Sequence, residues 1–247
     1  MKSLHIIASK QMGGAERWFL RFLHALQARG HEVRAVVRRA SELDSDVLAG
    51  LPAAALPLRT VWDPLSRWEV SRLIRRERPA IVQTYMGRAT RLTHIAPGSG
   101  VVHLSRLGGY YKLDGYRHAH AWIANTRGLC DYLVRQGFPH DRVFHIYNFA
   151  EPVHAVDPQA LEALRQQLAL QPDDLLLLTP GRCVPVKGQR TLLDALARLP
   201  ASLAGSRLRL AMLGDGPLLP ALRRQAESAG IGERIIWAGW QHDVAPW

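Results

Sequence analysis

Gly181-Arg182-Cys183-Val184-Pro185-Val186-Lys187-Gly188 places an arginine and a lysine five positions apart in one short loop. The apolar run Leu175 to Leu178 precedes it, and a helical pattern, Thr191-Leu192-Leu193-Asp194-Ala195-Leu196-Ala197-Arg198-Leu199, follows. A strand that ends in such a loop, with a helix opening behind it, is where parallel sheets bind phosphates. Backbone N–H groups and the helix dipole favour anions there, and Arg and Lys add two full charges. Arg grips phosphate oxygens in fork geometry, whereas Lys acts as a mobile point charge. The competing reading is a basic loop whose side chains are merely solvated.

Outward from that loop the chain alternates strand and helix. Leu4–Ala8 is a short apolar run leading into the glycine-bearing loop Ser9-Lys10-Gln11-Met12-Gly13-Gly14. Trp18, Phe19, Phe22, Leu23 and Leu26 then recur with a period near 3.6, and Gly30 marks the stop. Strands are expected at Val33–Val37, Ile81–Thr84, Val101–Leu104, Trp122–Ala124 and Val143–Ile146. Asp63-Pro64 opens a helix through Ile74, and Thr126 caps a helix over Arg127–Gln136. A second cycle begins near Pro158: a helix with Leu161, Leu164 and Leu168, then the strand Leu175–Thr179. The helix after Lys187, the strand Leu208–Leu213, the turn Gly214-Asp215-Gly216-Pro217, the helix Leu218–Ala229 and the strand Ile235–Ala238 complete it. This order predicts an α/β chain of two Rossmann-like domains, 1–157 and 158–247, with the second too short for a full doubly wound sheet.

Composition is that of an ordinary globular protein, with 47% apolar and 21% charged residues. No apolar run approaches the roughly 18 residues of a membrane span. Cys130 and Cys183 form no metal or redox spacing and read as reduced thiols, which makes a cytoplasmic location the expectation. The net charge of +11 is uneven: residues 1–157 carry 22 Lys/Arg against 13 Asp/Glu, residues 158–247 only 10 against 8. An excess on the first half points to an anionic partner, either a phosphorylated substrate or an anionic membrane surface. Nucleic acid is disfavoured, since the arginines are scattered and no nucleic-acid motif accompanies them. Trp62, Trp68 and the run Arg72–Arg78 suggest a membrane-facing surface; a solvated basic helix end is the plainer alternative.

Five segments together carry a family resemblance: Gly13-Gly14-Ala15-Glu16-Arg17, Val143-Phe144-His145-Ile146-Tyr147-Asn148-Phe149, Gly181-Arg182 through Lys187-Gly188, Met212-Leu213-Gly214-Asp215-Gly216-Pro217, and Ile235-Ile236-Trp237-Ala238-Gly239-Trp240. In that order and spacing the chain resembles the family 4 (group 1) retaining glycosyltransferases, enzymes with two Rossmann-like domains facing each other across a cleft, the GT-B fold. Arg106-Leu107-Gly108-Gly109-Tyr110-Tyr111 is similar to a subgroup found among bacterial lipopolysaccharide and cell-surface glycan enzymes.

The resemblance implies transfer of a sugar from a nucleoside diphosphate donor to a glycan or lipid-linked, anionic acceptor, with peripheral contact at the cytoplasmic face of the inner membrane. It implies donor binding by Gly13, Gly14, Arg182, Lys187, Gly214, Trp240 and Gln241, and acceptor-side roles for Glu16, Arg17 and Arg106. No cofactor is implied. Two cations suffice to neutralise a diphosphate, and the chain lacks the clustered Asp residues of metal-dependent sugar transferases, so no metal is expected. Several of these residues have plainer readings: Glu16 as a dipole-favoured helix opener, Gly214 and Gly216 as turn glycines, Trp240 and Gln241 as packing and loop polarity.

The chain departs from the family pattern twice. The family's Glu-x7-Glu motif has no counterpart before Trp247, so the resemblance implies an incomplete donor domain and an expectation that these 247 residues alone do not transfer sugar. Many relatives also carry a histidine in the loop where this chain reads Leu104-Ser105-Arg106-Leu107-Gly108; His103 is near it but is expected inside the strand. Two other classes compete. A sugar-nucleotide epimerase or hydrolase of the same build would act on the donor without an acceptor. A dinucleotide oxidoreductase should show Gly-x-Gly-x-x-Gly after the first strand, and only Gly13-Gly14 stands there.

Overall fold

The structure, a computed structural model, describes residues 1–43, 45–149, 155–241 and 243–247, and divides into two compact units, Met1–Ala150 and Glu151–Trp247. In the first unit the described elements run β1 (Lys2–Ile7), α1 (Gly14–Ala28), β2 (Glu32–Arg38), α2 (Ser45–Leu48), β3 (Ala53–Leu56), α3 (Pro64–Glu77) and β4 (Ile81–Tyr85). They continue with α4 (Met86–Leu92), β5 (Val102–Leu107), β6 (Ala121–Ala124), α5 (Arg127–Arg135) and β7 (Val143–His145). All pairings are parallel, and the strand order is β3-β2-β1-β4-β5-β6-β7.

β1 lies inside the sheet and is covered on both faces, which is why its apolar run does not alternate. Leu4, Ile6 and Ala8 pack with Val36, Val70 and Val82 on one face, while Ile7 packs with Phe19, Leu23, Ala35 and Val37 on the other. The predicted stripe of α1 is the buried one: Trp18, Phe19 and Leu23 are inside, with Phe22 and Leu26 packed against them. α3 is punctuated as its sequence demands. The Asp63 carboxylate accepts from the N–H groups of Leu65 and Ser66, Pro64 fills the first turn, and Arg78 ends the helix in the left-handed region before Pro79.

Two elements that position the sheet of the first unit were not expected from the sequence. β3 is the alanine-rich Ala53–Leu56, and α4 starts at Met86, whose φ of +62° no local pattern announces. β5 is also longer than expected. It runs to Leu107, so Leu104–Leu107 is strand rather than loop, because Ser105, Arg106 and Leu107 are all buried.

In the second unit the described elements are α6 (Pro158–Gln167), β8 (Leu175–Pro180), α7 (Gln189–Arg198), β9 (Ser202–Leu203), β10 (Ser206–Leu213), α8 (Leu219–Ser228) and β11 (Ile235–Gly239). β10 is central, with β8 and β11 parallel on either side and β9 folded back antiparallel around Ala204-Gly205. Leu193, Leu196, Leu208, Leu210, Met212, Leu222 and Ile235 form its core. Among the described residues the outer edge of β8 is unpaired, and Leu175 and Leu178 on that strand are exposed.

Replacing Asp63 by Ala removes two backbone acceptor contacts at the start of α3 and is expected to lower stability by about 1 kcal/mol. For a chain of this size that is a fall of roughly 2–4 °C in Tm. Asp63→Asn, which can still accept, should retain most of the difference; equal losses for Ala and Asn in a thermal melt would contradict the capping account.

Candidate functional site

The carboxyl ends of β8, β10 and β11 are stitched together through main chain. Gly181 N–H donates to the Leu213 carbonyl at 2.7 Å, Gly214 N–H to the Gly239 carbonyl at 2.6 Å, and Cys183 N–H to the Asp215 carbonyl at 2.9 Å. These approaches leave no room for side chains. A Cβ on Gly214 would lie 2.2 Å from the Gly181 oxygen, and one on Gly216 would lie 2.7 Å from the Cys183 oxygen. Both glycines also have positive φ, +135° and +153°, so close approach and backbone conformation each demand glycine.

On this frame the 181–188 loop is held from behind. Buried Gln189 donates to the Arg182 carbonyl at 2.9 Å, and Gly188 turns left-handed into α7. The Arg182 and Lys187 side chains are exposed, and no carboxylate lies within ion-pair distance of either among the described residues. Trp240 is exposed, and Gln241 donates to the Ala238 carbonyl at 2.6 Å.

In the first unit the loop after β1 brings Gly13, Gly14, Glu16 and Arg17 to the start of α1. Glu16 folds back and is buried, so a Cβ on Gly13 would meet its carboxylate at 3.0 Å. Gly14 has open space around it, and Arg17 is exposed. Tyr111 lies beside Glu16, and its hydroxyl pKa is raised by burial and by that carboxylate.

Arg106, near the end of β5, is only 6% exposed. Its guanidinium carbon sits 3.6 Å above the Trp18 ring, Nη2 donates to Asn148 Oδ1 at 2.6 Å, and Nη1 has no protein partner among the described residues. Burial lowers the pKa of this guanidinium, while neighbouring Tyr85 raises it. Tyr85 itself is pushed well above the ordinary phenol value by burial. A buried cation with a free N–H and no carboxylate partner among the described residues can receive an anion or a hydrogen-bond acceptor. Sequence reasoning singled out Arg106 but missed its neighbours: Trp18 read as part of the apolar stripe of α1, and Tyr85 was not singled out.

His103 is elsewhere. It is the second residue of β5, three residues before Arg106 and so about 10 Å up the strand. It is fully buried, with Nε2 3.0 Å from the Thr84 hydroxyl. Burial, reinforced by His118, His120 and His94, lowers its pKa to about 3. The structure does not bring it to the strand-end residues.

Residues 12–154 match Glycosyltransferase Family 4, and residues 161–247 match Glycosyl transferases group 1. The chain belongs to the family 4 (group 1) glycosyltransferases. This glycosyltransferase chain is 32% identical over 253 residues to the lipopolysaccharide core biosynthesis glycosyltransferase LpsE of Rhizobium meliloti, a match covering 100% of the chain and 69% of that protein. It is 27% identical to LpsD of the same organism, covering 98% of the chain and 67% of LpsD. Its fold is that of GT-B glycosyltransferases. The Anabaena Alr3699/HepE complex with UDP and glucose superposes with a TM-score of 0.80 at 19% identity, covering 100% of this chain and 71% of the other. WaaG, a glycosyltransferase involved in lipopolysaccharide biosynthesis, gives 0.69 at 18% identity, covering 100% and 72%. Neither the epimerase nor the oxidoreductase reading is favoured by these matches. Among the described residues, no group of three or more His, Cys, Asp or Glu side chains could hold a metal ion.

Two buried imidazoles make this glycosyltransferase acid-sensitive. His5, bonded to Tyr85 and Ser3 at 3.1 and 2.9 Å, is held by burial to a pKa of about 3, as is His103. Both are neutral when folded, whereas the unfolded chain takes up their protons as pH falls through about 6.5. Stability is therefore full above pH 6.5 and declines toward pH 3, by about 2 kcal/mol per histidine at pH 5. Urea midpoints at pH 7 and 5 should show this fall, and His103→Gln should remove about half of it. An unchanged pH slope in His103→Gln would rule out the assignment.

Proposed function

We propose that this chain binds a nucleoside diphosphate sugar, of the uridine type, and takes part in its transfer with retention to an anionic, lipid-linked glycan of the lipopolysaccharide core kind. The observation that carries this reading is the rigid 181–188 loop, which presents Arg182 and Lys187 without a protein counter-charge among the described residues. It is supported by the relatives LpsE and LpsD, named for lipopolysaccharide core biosynthesis, and by the HepE structure, which contains UDP and glucose.

In such a transfer the bond between the sugar C1 and the diphosphate oxygen breaks, and its electron pair stays on the phosphate. The acceptor oxygen bonds to C1 on the face from which the leaving group departs, and its proton passes to the departing diphosphate oxygen. Negative charge grows on the diphosphate, and cations fixed in advance at that point lower the barrier because they need no reorganisation. Arg182 would take two phosphate oxygens with its fork, and Lys187 would add a mobile charge. This chemistry needs no metal at the diphosphate. On the acceptor side, Glu16, Arg17 and Arg106 would contact the glycan, with the free Nη1 of Arg106 as the sharpest donor. Trp240 and Gln241 would lie along the nucleotide.

A membrane-anchored acceptor would find a matching surface at the start of α3 and in the turn before it. Trp62 is 81% exposed, Leu65 and Trp68 are exposed beside it, and the Arg72 guanidinium lies 5.3 Å from the Trp68 ring centroid. Exposed tryptophans flanked by arginines suit the interface of an anionic bilayer, with rings at headgroup depth and cations over the phosphates. No described helix is long and apolar enough to cross a membrane.

Calorimetric titration with UDP should show binding that weakens as salt rises. Arg182→Ala and Lys187→Ala should each weaken it by about tenfold, the cost of one charged hydrogen-bond partner. Equal affinity in all three proteins would remove the phosphate-loop assignment. Separately, the chain should co-sediment with phosphatidylglycerol vesicles more than with phosphatidylcholine vesicles, and Trp62→Ser with Trp68→Ser should reduce that binding about tenfold or more. Binding indifferent to both lipid charge and the tryptophans would sink the membrane reading.

A further inference from the structure

The strand order of the first unit reverses between β1 and β4, and in open parallel sheets ligands bind outside the carboxyl ends at such a point. A cavity of about 250 Å³ lies there. Its polar lining is Ser9 and Lys10 after β1, Arg38 at the end of β2, and Arg88 in α4 just beyond β4; Ala8, Tyr85 and Met86 supply the rest.

Three cations thus converge on one small space. Among the described residues none of them has a carboxylate within ion-pair distance. The nearby carboxylate of Glu42 is engaged elsewhere, accepting from the Met12 N–H at 2.7 Å. Arg88 is pinned in place by donating to the Ala8 carbonyl at 3.2 Å. Burial lowers its pKa, and the charge of Arg38 lowers it further, so these two guanidinium groups are close enough to repel. The Ser9 hydroxyl, in the same wall, is buried and has no hydrogen-bond partner among the described residues. Lys10 is exposed and Arg38 and Arg88 are half-buried, so an entering anion can reach all three, and a tetrahedral or planar oxyanion supplies enough acceptor oxygens for these donors.

We propose that this pocket binds an anionic substituent of the acceptor glycan, a phosphate or carboxylate group on the sugar beside the one that is glycosylated. The proposal rests on the reading of the chain as a glycosyltransferase with an anionic acceptor, and it assigns that anion to Ser9, Lys10, Arg38 and Arg88. A neutral glycan would leave the cations uncompensated. The pocket therefore selects for charge, while Glu16 and Arg106 address the hydroxyl-bearing part of the acceptor.

Amide chemical shifts of the isotopically labelled 247-residue chain would be followed during titration with glucose 6-phosphate, glucuronate and glucose. The two anionic sugars should shift Ser9, Lys10, Arg38 and Arg88, and glucose should not; the stronger of the two anions names the substituent. Lys10→Ala and Arg38→Ala should each weaken binding about tenfold. Arg38→Lys should restore part of it, and Lys10, being exposed, can be replaced without threat to folding. Shifts that survive both alanine variants, or that glucose produces equally, would overturn the proposal. The phosphate effect should also persist with saturating UDP, whereas displacement by UDP would mean a donor site. If UDP binds and neither anionic sugar does, this pocket is misassigned while the donor reading stands; if only the anionic sugars bind, the donor reading fails and the pocket stands.

Discussion

A strand in a parallel sheet spends its N–H and C=O groups on its neighbours until the sheet stops, and then those groups need new partners. In the second unit the partners are the next loops along the edge. Leu213 and Gly239 offer carbonyls to Gly181 and Gly214, and Asp215 and Cys183 close the row. Everything that gives this edge its chemistry follows from that lacing. The backbones approach so closely that Gly214 and Gly216 admit no side chain. The loop between Gly181 and Gly188 is short and fixed, and two cations stand on it at a spacing set by main chain rather than by their own contacts.

The first unit shows the same polarity in its charges. At the amino ends of its strands cations are neutralised within the protein: Lys2 pairs with Glu32 and Glu77, and Arg34 pairs with Glu77. At the carboxyl ends Arg106 rests on an aromatic ring and an amide, and Lys10, Arg38 and Arg88 have no carboxylate among the described residues. Ion pairing with Glu32 and Glu77 thus belongs to one end of the sheet, while Lys10, Arg38, Arg88 and Arg106 stand at the end where ligands of such sheets bind.

The sequence revealed the frame better than the site. Short apolar runs flanked by loops and helical patterns made β1, β2, β8 and β10 legible from residues alone, even where Arg34 and Arg209 interrupt the run. Ala53–Leu56 was not, because alanine has little preference for strands and the run is held by pairing with β2 and by packing of Ala54 and Leu56 on the core. Nor was α4, whose start requires Met86 to adopt a positive φ. The 181–188 loop was visible because its cations are close in sequence. Arg106 meets Trp18 from 88 positions away, and Lys10, Arg38 and Arg88 sit on three different strand connections. Such sets exist only after the strand order is known. His103 shows the reverse hazard: near the family's loop in sequence, it lies back inside the strand, neutral and fully enclosed.

Cys183 occupies the knot of the laced edge. Its N–H and carbonyl are both tied, to Asp215 and Leu218, and its thiol is buried, with a pKa raised first by burial and then by Asp215. A protonated, enclosed thiol does not react with electrophiles, so modification must wait for the loops to part. Cys130, half-buried on α5, offers an internal comparison in the same molecule. The ratio of their alkylation rates becomes a clock for how often the laced edge opens, readable without any engineered label.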